Sequence, residues 1–182
     1  MRIDEATGWL GFPNGLAISP SLTQTEFRDS EKGGGATIES YGTPPWIHYH
    51  LDSGEVEGHN LLASLCFYGE LLLSVSITAN LYPTAARDWS SYSLDVEAAT
   101  KLFHERLLAR SLSAPSTTLR LTFDNLPPSQ TTLAHPRFWR FHWGKISSSH
   151  DPKGGVTAIT IMYGDRMETA SKDHVRRANE RE

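Results

Sequence analysis

Hydrophobic and polar residues alternate most regularly over residues 71–81. A strand whose side chains point in turn to two faces, one of them buried, produces this period of two. The apolar face would carry Leu71, Leu73, Val75, Ile77, Ala79 and Leu81, and the other face Leu72, Ser74, Ser76, Thr78 and Asn80. The pattern predicts a half-buried strand.

A second strand is predicted just before it, over residues 61–68. Its apolar face would carry Leu61, Ala63, Leu65 and Phe67. Gly69 and Glu70 between the two segments suit a two-residue hairpin turn. That turn would pair Tyr68 with Leu71 and set the apolar face of one strand beside the polar face of the other. We therefore expect a loop of odd length or a β-bulge that shifts the register.

The longest helical pattern covers residues 91–112. Ser93 can cap the start of this helix, and Asp95 and Glu97 complement the positive end of its dipole. Apolar residues recur at steps of three and four, which predicts one buried stripe along an amphipathic helix. The stripe consists of Val96, Ala99, Phe103, Leu107 and Leu108. This helix should lie across the sheet.

The other segments predict shorter strands and two connections. Strands are expected around Ile18, Ile38 and Ile47, and a further one where Leu119, Leu121 and Phe123 alternate. Residues 124–136 hold three prolines and are expected to form a loop. Residues 137–149 and 156–164 are expected to be strands joined by a turn at the Asp-Pro-Lys-Gly-Gly of residues 151–155.

This order of elements predicts an α+β fold with a mainly antiparallel β-sheet and one long amphipathic helix packed across it. At 182 residues the chain is expected to form a single α+β domain over residues 1–165. Residues 166–182 are charged and have no sustained apolar face, so they are expected to form a surface helix or a frayed tail.

Composition narrows the classes of partner. The formal net charge is −4 and the body of the chain has no basic run, which argues against nucleic-acid binding. The most apolar stretch, residues 61–81, is too polar to span a bilayer, and the first residues are not typical of a secretory signal. Cys66 is the only cysteine and excludes an internal disulfide. We expect a cytoplasmic protein with no membrane partner.

Catalytic motifs are weak. Ser149, His150 and Asp151 are consecutive, so their side chains diverge, and the segment is better interpreted as a hairpin end than as a triad. The sequence HERLL from His104 resembles the zinc-binding HExxH, but the position of the second histidine is occupied by Leu108. No phosphate loop or other cofactor motif occurs, so we expect neither a catalytic residue nor a cofactor.

The alternative interpretation is a metal site. His48 and His50 would point the same way on a strand, and His59 is close in sequence. Two or three imidazoles could then hold a metal ion, either as a metal-binding protein or in a metal-assisted enzyme.

Aromatic residues offer a different kind of site. Trp139, Phe141 and Trp143 alternate on one strand face, where packing between helix and sheet is the simpler interpretation. Trp89 and Tyr92 lie beside Arg87 and Asp88 just before the long helix. Partly exposed aromatics next to arginine are typical of protein interfaces, so these four residues are the candidate partner-binding residues.

The chain resembles a group of small bacterial proteins in two long segments. These read FYGELLLSVSITANLYPTAARDWSSYSLDVEAATKLFHERLL and FHWGKISSSHDPKGGVTAITIMYG, and an upstream SPSLTQTEFRDS fits the same pattern. The resemblance covers roughly residues 15–165 and carries no catalytic signature. Proteins similar to these are encoded beside toxins or secreted effectors, including those of type VI secretion, as immunity proteins. The resemblance implies a non-enzymatic protein that binds and neutralises a cognate bacterial toxin.

Three hypotheses follow. The first is an immunity protein that occludes one toxin or effector, whose acidic charge would speed association with a basic partner. The second is the metal-binding protein or enzyme that uses His48, His50 and His59. The third is an accessory subunit of a larger assembly, and a homodimer is compatible with the first and the third.

Overall fold

The structure, a computed structural model, describes residues 1–30, 37–39, 45–82, 91–120 and 126–180. Its strands are β1 Arg2–Ile3, β2 Leu10–Gly11, β3 Ala17–Ile18, β4 Thr37–Glu39, β5 Trp46–Val56, β6 His59–Tyr68, β7 Leu71–Ala79, β8 Thr117–Thr118, β9 Arg137–Phe141, β10 Gly144–Asp151 and β11 Val156–Tyr163. Its helices are α1 Gln24–Asp29, α2 Leu94–Ser111, α3 Pro128–Ala134 and α4 Arg166–Asn179.

Within these residues the fold is built on one large antiparallel sheet. Eight strands pair in the order β4-β5-β6-β7-β11-β10-β9-β8, and every neighbouring pair is antiparallel. A small sheet, β1-β2-β3, forms at the N-terminus. α2 packs against β7, β10 and β11 on one face of the large sheet, and α4 contacts β7 and β11. The predicted α+β class is confirmed.

The β6–β7 hairpin contains a β-bulge, one of the two ways of shifting the register that the sequence predicts here. Tyr68 pairs with Leu71 across a two-residue turn, and the register then shifts between Cys66 and Phe67. Because of this bulge, Leu72 joins the main core, whereas Leu73 packs with Cys66 in a second apolar cluster. Leu71 is 42% exposed. The predicted faces are therefore correct from Val75 onward and wrong before the bulge.

Helix α2 begins where the sequence predicts, since the Ser93 side chain accepts a hydrogen bond from the Val96 amide. Phe103, Leu107 and Leu108 are buried as expected, but Ala99 is exposed. Four polar residues are buried instead, namely Glu97, Thr100, Lys101 and His104. The reason is that the side of α2 that packs on the sheet itself carries polar residues, since Glu97 and His104 accept hydrogen bonds from the Thr157 amide of β11 and the Ala79 amide of β7. The prediction of a purely apolar buried stripe is wrong.

Two predictions fail in the segment after α2. Residues 128–134 form helix α3 and not part of a loop, because Pro128 occupies its first turn, where a missing amide costs nothing. Residues 137–149 form a hairpin, with β9 and β10 separated by His142 and Trp143. The turn needs Gly144, since a Cβ there would lie 2.0 Å from the Met162 carbonyl oxygen. Of the strand predicted over residues 117–123, the structure has β8, while Leu121 and Phe123 lie outside the described residues.

The main core lies between the sheet and α2 and continues into the N-terminal sheet. Buried side chains from β6, β7, β10 and β11 meet Phe103 and Leu108 there, and Trp139 is 3% exposed. Trp143 stacks on Phe141 with ring centroids 4.9 Å apart and donates from Nε1 to the Glu5 carbonyl. These aromatics are packing residues. None of the helices in the described part of the chain has the length and apolar composition that crossing a bilayer requires.

Candidate functional site

Glu97 organises a buried polar cluster where α2 meets the end of β11. Its side chain is 1% exposed. One carboxylate oxygen accepts a hydrogen bond from the Thr157 amide at 2.8 Å, and the other accepts from the Tyr82 hydroxyl at 2.8 Å. A buried carboxylate needs such donors because burial removes its water. This carboxylate therefore ties α2 to β11 and to the segment that follows β7.

His150 extends the cluster toward the surface. Its Nδ1 lies 3.1 Å from the Thr157 hydroxyl and 3.9 Å from the Glu97 carboxylate, and its Nε2 lies 3.4 Å from the Tyr92 hydroxyl. Burial lowers the pKa of His150, and the negative charges of Glu97 and Asp151 offset part of that effect. The imidazole is thus favoured in its neutral form, with both ring nitrogens in contact with hydroxyl groups.

Tyr92 and His150 form one wall of a groove between α2 and α3, which we call the α2–α3 groove. Its volume is about 550 Å³. The rest of its lining is mainly apolar and includes Leu94, Leu126, Leu133, Pro136 and Pro152. A mostly apolar cleft with a few polar groups at one wall suits the binding of an apolar group whose orientation is fixed by a hydrogen bond.

The consecutive Ser149, His150 and Asp151 do not form a triad. Asp151 lines the opposite face of the sheet, while the His150 ring contacts Thr157 and Glu97 on the α2 face. Alternation along β10 separates neighbouring side chains in this way. The following residues form the turn between β10 and β11, so the hairpin interpretation is confirmed.

The three histidines of the metal hypothesis lie on two faces of the sheet. His48 and His50 are paired with Cys66 and Ser64, on the face opposite α2. His59 packs its ring against Phe103 of α2, with centroids 5.1 Å apart. They do not converge on one point. In the part of the chain that the structure describes, no group of three or more histidine, cysteine, aspartate or glutamate side chains is placed to hold a metal ion.

His104, the first residue of the rejected HExxH match, has a structural role. It is fully buried, and its Nε2 accepts a hydrogen bond from the Ala79 amide at 3.0 Å. This contact satisfies a donor at the end of β7 and connects that strand to α2. Nearby, Lys101 pairs with Glu105, whose carboxylate also accepts from Arg137 at 3.2 Å.

The second candidate site is the face of the large sheet opposite α2, which we call the open face. One row of side chains crosses five paired strands there, with His50, Ser64, Ser76, Thr160 and Ser147 in register. At a strand spacing of about 4.8 Å the row is roughly 19 Å wide. We call three of its hydroxyl residues, Ser64, Ser76 and Thr160, the hydroxyl floor, while Ser147 at the end of the row is buried.

The open face forms a trough because its central side chains are short. Leu62, Thr78, Ala158 and Ser149 lie beside the hydroxyl floor, and the trough has a volume of about 470 Å³. α4 covers the face at one end only, where Tyr68 donates to Asp173 at 2.8 Å and Trp46 packs against His174. The remainder is a broad surface of short hydroxyl and apolar side chains, of the kind that can receive another protein.

The structure does not test the predicted partner-binding residues. Arg87, Asp88 and Trp89 lie outside the described residues. Tyr92 is described and lies at the α2–α3 groove. Sequence reasoning missed Glu97 and His150 as partners. The available signal was a polar stripe on α2 at steps of three and four, which has the same spacing as a solvent-exposed face.

Comparisons with known proteins give a fold and no sequence family. No protein-family model matches the chain, and no curated protein matches it. The structure is similar to one chain of the solved structure of Rhs1-CT in complex with its cognate immunity protein RhsI1. The sequence identity is 11%, the similarity covers 98% of each chain, and the TM-score is 0.52. At that identity the likeness shows a shared fold.

Proposed function

We propose that this protein is an immunity protein, which binds and neutralises a cognate bacterial toxin. The observation that carries the proposal is the similarity in fold to a chain of a toxin–immunity complex over nearly the whole of both chains. The proposed site of action is the cytoplasm of the producing cell. The resemblance of two long sequence segments to immunity-type proteins supports the same role.

Binding by occlusion, and not catalysis, is the proposed mechanism. The ionisable groups that meet at Glu97 and His150 are almost fully buried and are engaged with Thr157, Tyr82 and Tyr92. Their contacts are those of a structural network that joins α2 to the sheet. The trough, by contrast, is lined by short hydroxyl and apolar side chains, which supply a contact surface rather than an acid–base pair.

Co-expression tests the proposal. The product of the neighbouring gene, which the proposal expects to be the toxin, is made in a host cell with and without this protein, and growth and co-purification are measured together. Protection of growth with recovery of a stable complex is the expected result. A growth defect that persists at full expression, with no complex recovered, would end the proposal.

The contact residues of the complex are a further part of the proposal. Tyr92 at the α2–α3 groove, with Arg87, Asp88 and Trp89 just before it in sequence, stays the proposed contact segment. The rival hypothesis of an accessory subunit predicts a stable larger assembly without any toxin. Measurement of the solution mass distinguishes it, since an immunity protein is expected as a monomer or homodimer until toxin is added.

A further inference from the structure

The open face carries its charged residues at its two ends. At the end away from α4, Asp52 is paired with Leu62 and Glu55 with Asn60, and both acidic residues are exposed. Asp151 lies across the trough from them. Cross-strand partners point to the same face, so these three carboxylates border one end of the trough. We call them the acidic rim.

The basic residues lie elsewhere. Lys145 and Arg140 are paired with each other on β10 and β9, at the end of the face toward which β11 leads into α4. Lys153 is exposed in the turn two residues after Asp151, and Arg106 and Arg110 near the other side of the rim are paired with Glu57. Three acids against one base give this end a negative potential, which attracts cations over about 8 Å at physiological ionic strength.

The hydroxyl floor supplies the second feature of a docking surface. Hydroxyl groups both donate and accept hydrogen bonds, and their short side chains lose little entropy on binding. Leu62 is 45% exposed beside them and offers one apolar contact. A partner that follows the trough could therefore pair its polar groups with the floor while its cations face the acidic rim.

We propose that the toxin docks on the open face, with a cationic segment over Asp52, Glu55 and Asp151. This inference rests on the proposed function, because the occupant is the toxin of that proposal. The open face would then be the main occluding surface, and Tyr92 would be a contact at its border, since Ser149 lines both the trough and the α2–α3 groove. The basic character of the toxin at the contact would follow from the charge of the rim.

Charge reversal at the rim is the first arm of the test. Glu55 is the suitable position, since Asp52 accepts from the Gly54 amide and Asp151 accepts from the Lys153 amide, which makes both structural. Glu55→Lys should weaken binding of the purified neighbouring toxin domain about tenfold or more and reduce the salt dependence of the association rate. Glu180→Lys makes the same charge change on the exposed end of α4 and should bind like the wild type.

Steric blocking is the second arm. Thr160→Arg places a long cation in the middle of the hydroxyl floor, and we expect it to abolish measurable binding. Thr118→Arg is the matched control, because Thr118 is exposed on β8 and is paired with Arg137, which is on the α2 side of the sheet. Thermal unfolding of each variant shows whether it is folded. If Thr160→Arg does not fold, Glu55→Lys alone tests the docking surface.

The outcomes separate the two proposals. If the wild type binds toxin and both open-face variants bind equally well, the docking surface is wrong while the immunity function stands. If the wild type does not bind or protect, the immunity function itself fails. If Thr160→Arg only converts a homodimer into monomers and leaves toxin binding unchanged, the occupant is a second copy and the inference is overturned.

Discussion

Glu97 is the residue that most clearly joins separate parts of this chain. Its two carboxylate oxygens accept from the Thr157 amide and the Tyr82 hydroxyl, and the His150 ring lies 3.9 Å away. These partners belong to β11, to the segment after β7 and to β10. The loss of a buried acceptor lowers stability mainly because the donors that it satisfied are left unpaired. This cost exceeds the net contribution of any one of its hydrogen bonds.

Replacing this carboxylate by an amide tests that role. Glu97→Gln keeps the shape but turns one acceptor into a donor, so either the Thr157 amide or the Tyr82 hydroxyl loses the acceptor for its proton. We expect the free energy of unfolding to fall by about 1–3 kcal/mol in urea titrations. Glu180→Gln, on the exposed end of α4, should change it by less than about 0.5 kcal/mol. Equal stabilities for the two variants would contradict the account.

The buried histidine predicts a pH dependence of stability. The pKa of His150 is lowered in the folded protein, so between its ordinary value of about 6.5 and the folded value only the unfolded chain takes up the proton. Stability should therefore be unaffected by this group above about pH 6.5 and should fall as the pH drops below it. Carboxyl groups whose pKa is lowered in the folded protein, such as that of Glu70, make stability depend on pH only below about pH 4.5.

Urea unfolding at pH 7.5 and at pH 5.5 measures the effect. The wild type should lose stability between the two values, and His150→Asn should lose less because it has no proton to gain. His142→Asn, at an exposed position between β9 and β10, is the control and should follow the wild type. If His150→Asn loses as much stability as the wild type between the two pH values, the pH dependence comes from other groups.

At the scale of elements, the position of α4 determines how much of the open face is accessible. It packs Ala170 against Cys66 and Leu73, and Arg166 donates to the carbonyl oxygens of Pro20 and Leu72 at 2.6 and 2.9 Å. From the sequence, this segment could form either a surface helix or a frayed tail. The structure has a helix there, and it covers one end of the sheet. The rest of the chain, residues 1–165, stays predicted to fold as a single domain.

Cys66 reports on the docking of α4. Burial raises the pKa of its thiol to about 11, so the full chain should react slowly with a thiol reagent at pH 8. Removal of residues 166–182 should leave a folded sheet by circular dichroism and speed the reaction at least about tenfold, as the thiol regains its ordinary pKa of about 8.5. Val175→Ala, at an exposed position on α4, should react like the full chain. Equal rates with and without the helix would show that α4 does not protect this face.

The spacing of hydrophobic residues along the chain predicted the strands and helices that have one buried side and one exposed side. The alternation in β6, and in β7 from Val75 onward, identified core residues, and the conflict of faces at Gly69 and Glu70 predicted a loop of odd length or a bulge, of which the bulge is observed. The spacing of apolar residues could not show that Glu97 and His104 have partners on β11 and β7, so the sequence did not predict that they are buried against the sheet. Prolines suggested a loop where Pro128 begins a helix. Tyr92 was found from its aromatic neighbours, whereas its contact with His150 depends on long-range packing.

At the scale of the whole molecule, the two faces of the sheet have different roles. One face is closed by α2 and the N-terminal sheet, and its polar groups are engaged in the network around Glu97. The other is closed by α4 at one end and presents the hydroxyl floor and the acidic rim. A protein that neutralises by occlusion needs a rigid scaffold behind an accessible surface, and this arrangement provides both.

Titration of the toxin's activity with this protein tests the claim of neutralisation by binding most directly. The purified toxin domain is held at a fixed concentration well above the dissociation constant, and its activity is followed as the protein is added. Occlusion predicts a linear fall that reaches zero at one equivalent and does not progress with time. Inactivation of excess toxin by a small fraction of an equivalent, or activity unchanged beyond one equivalent, would contradict it.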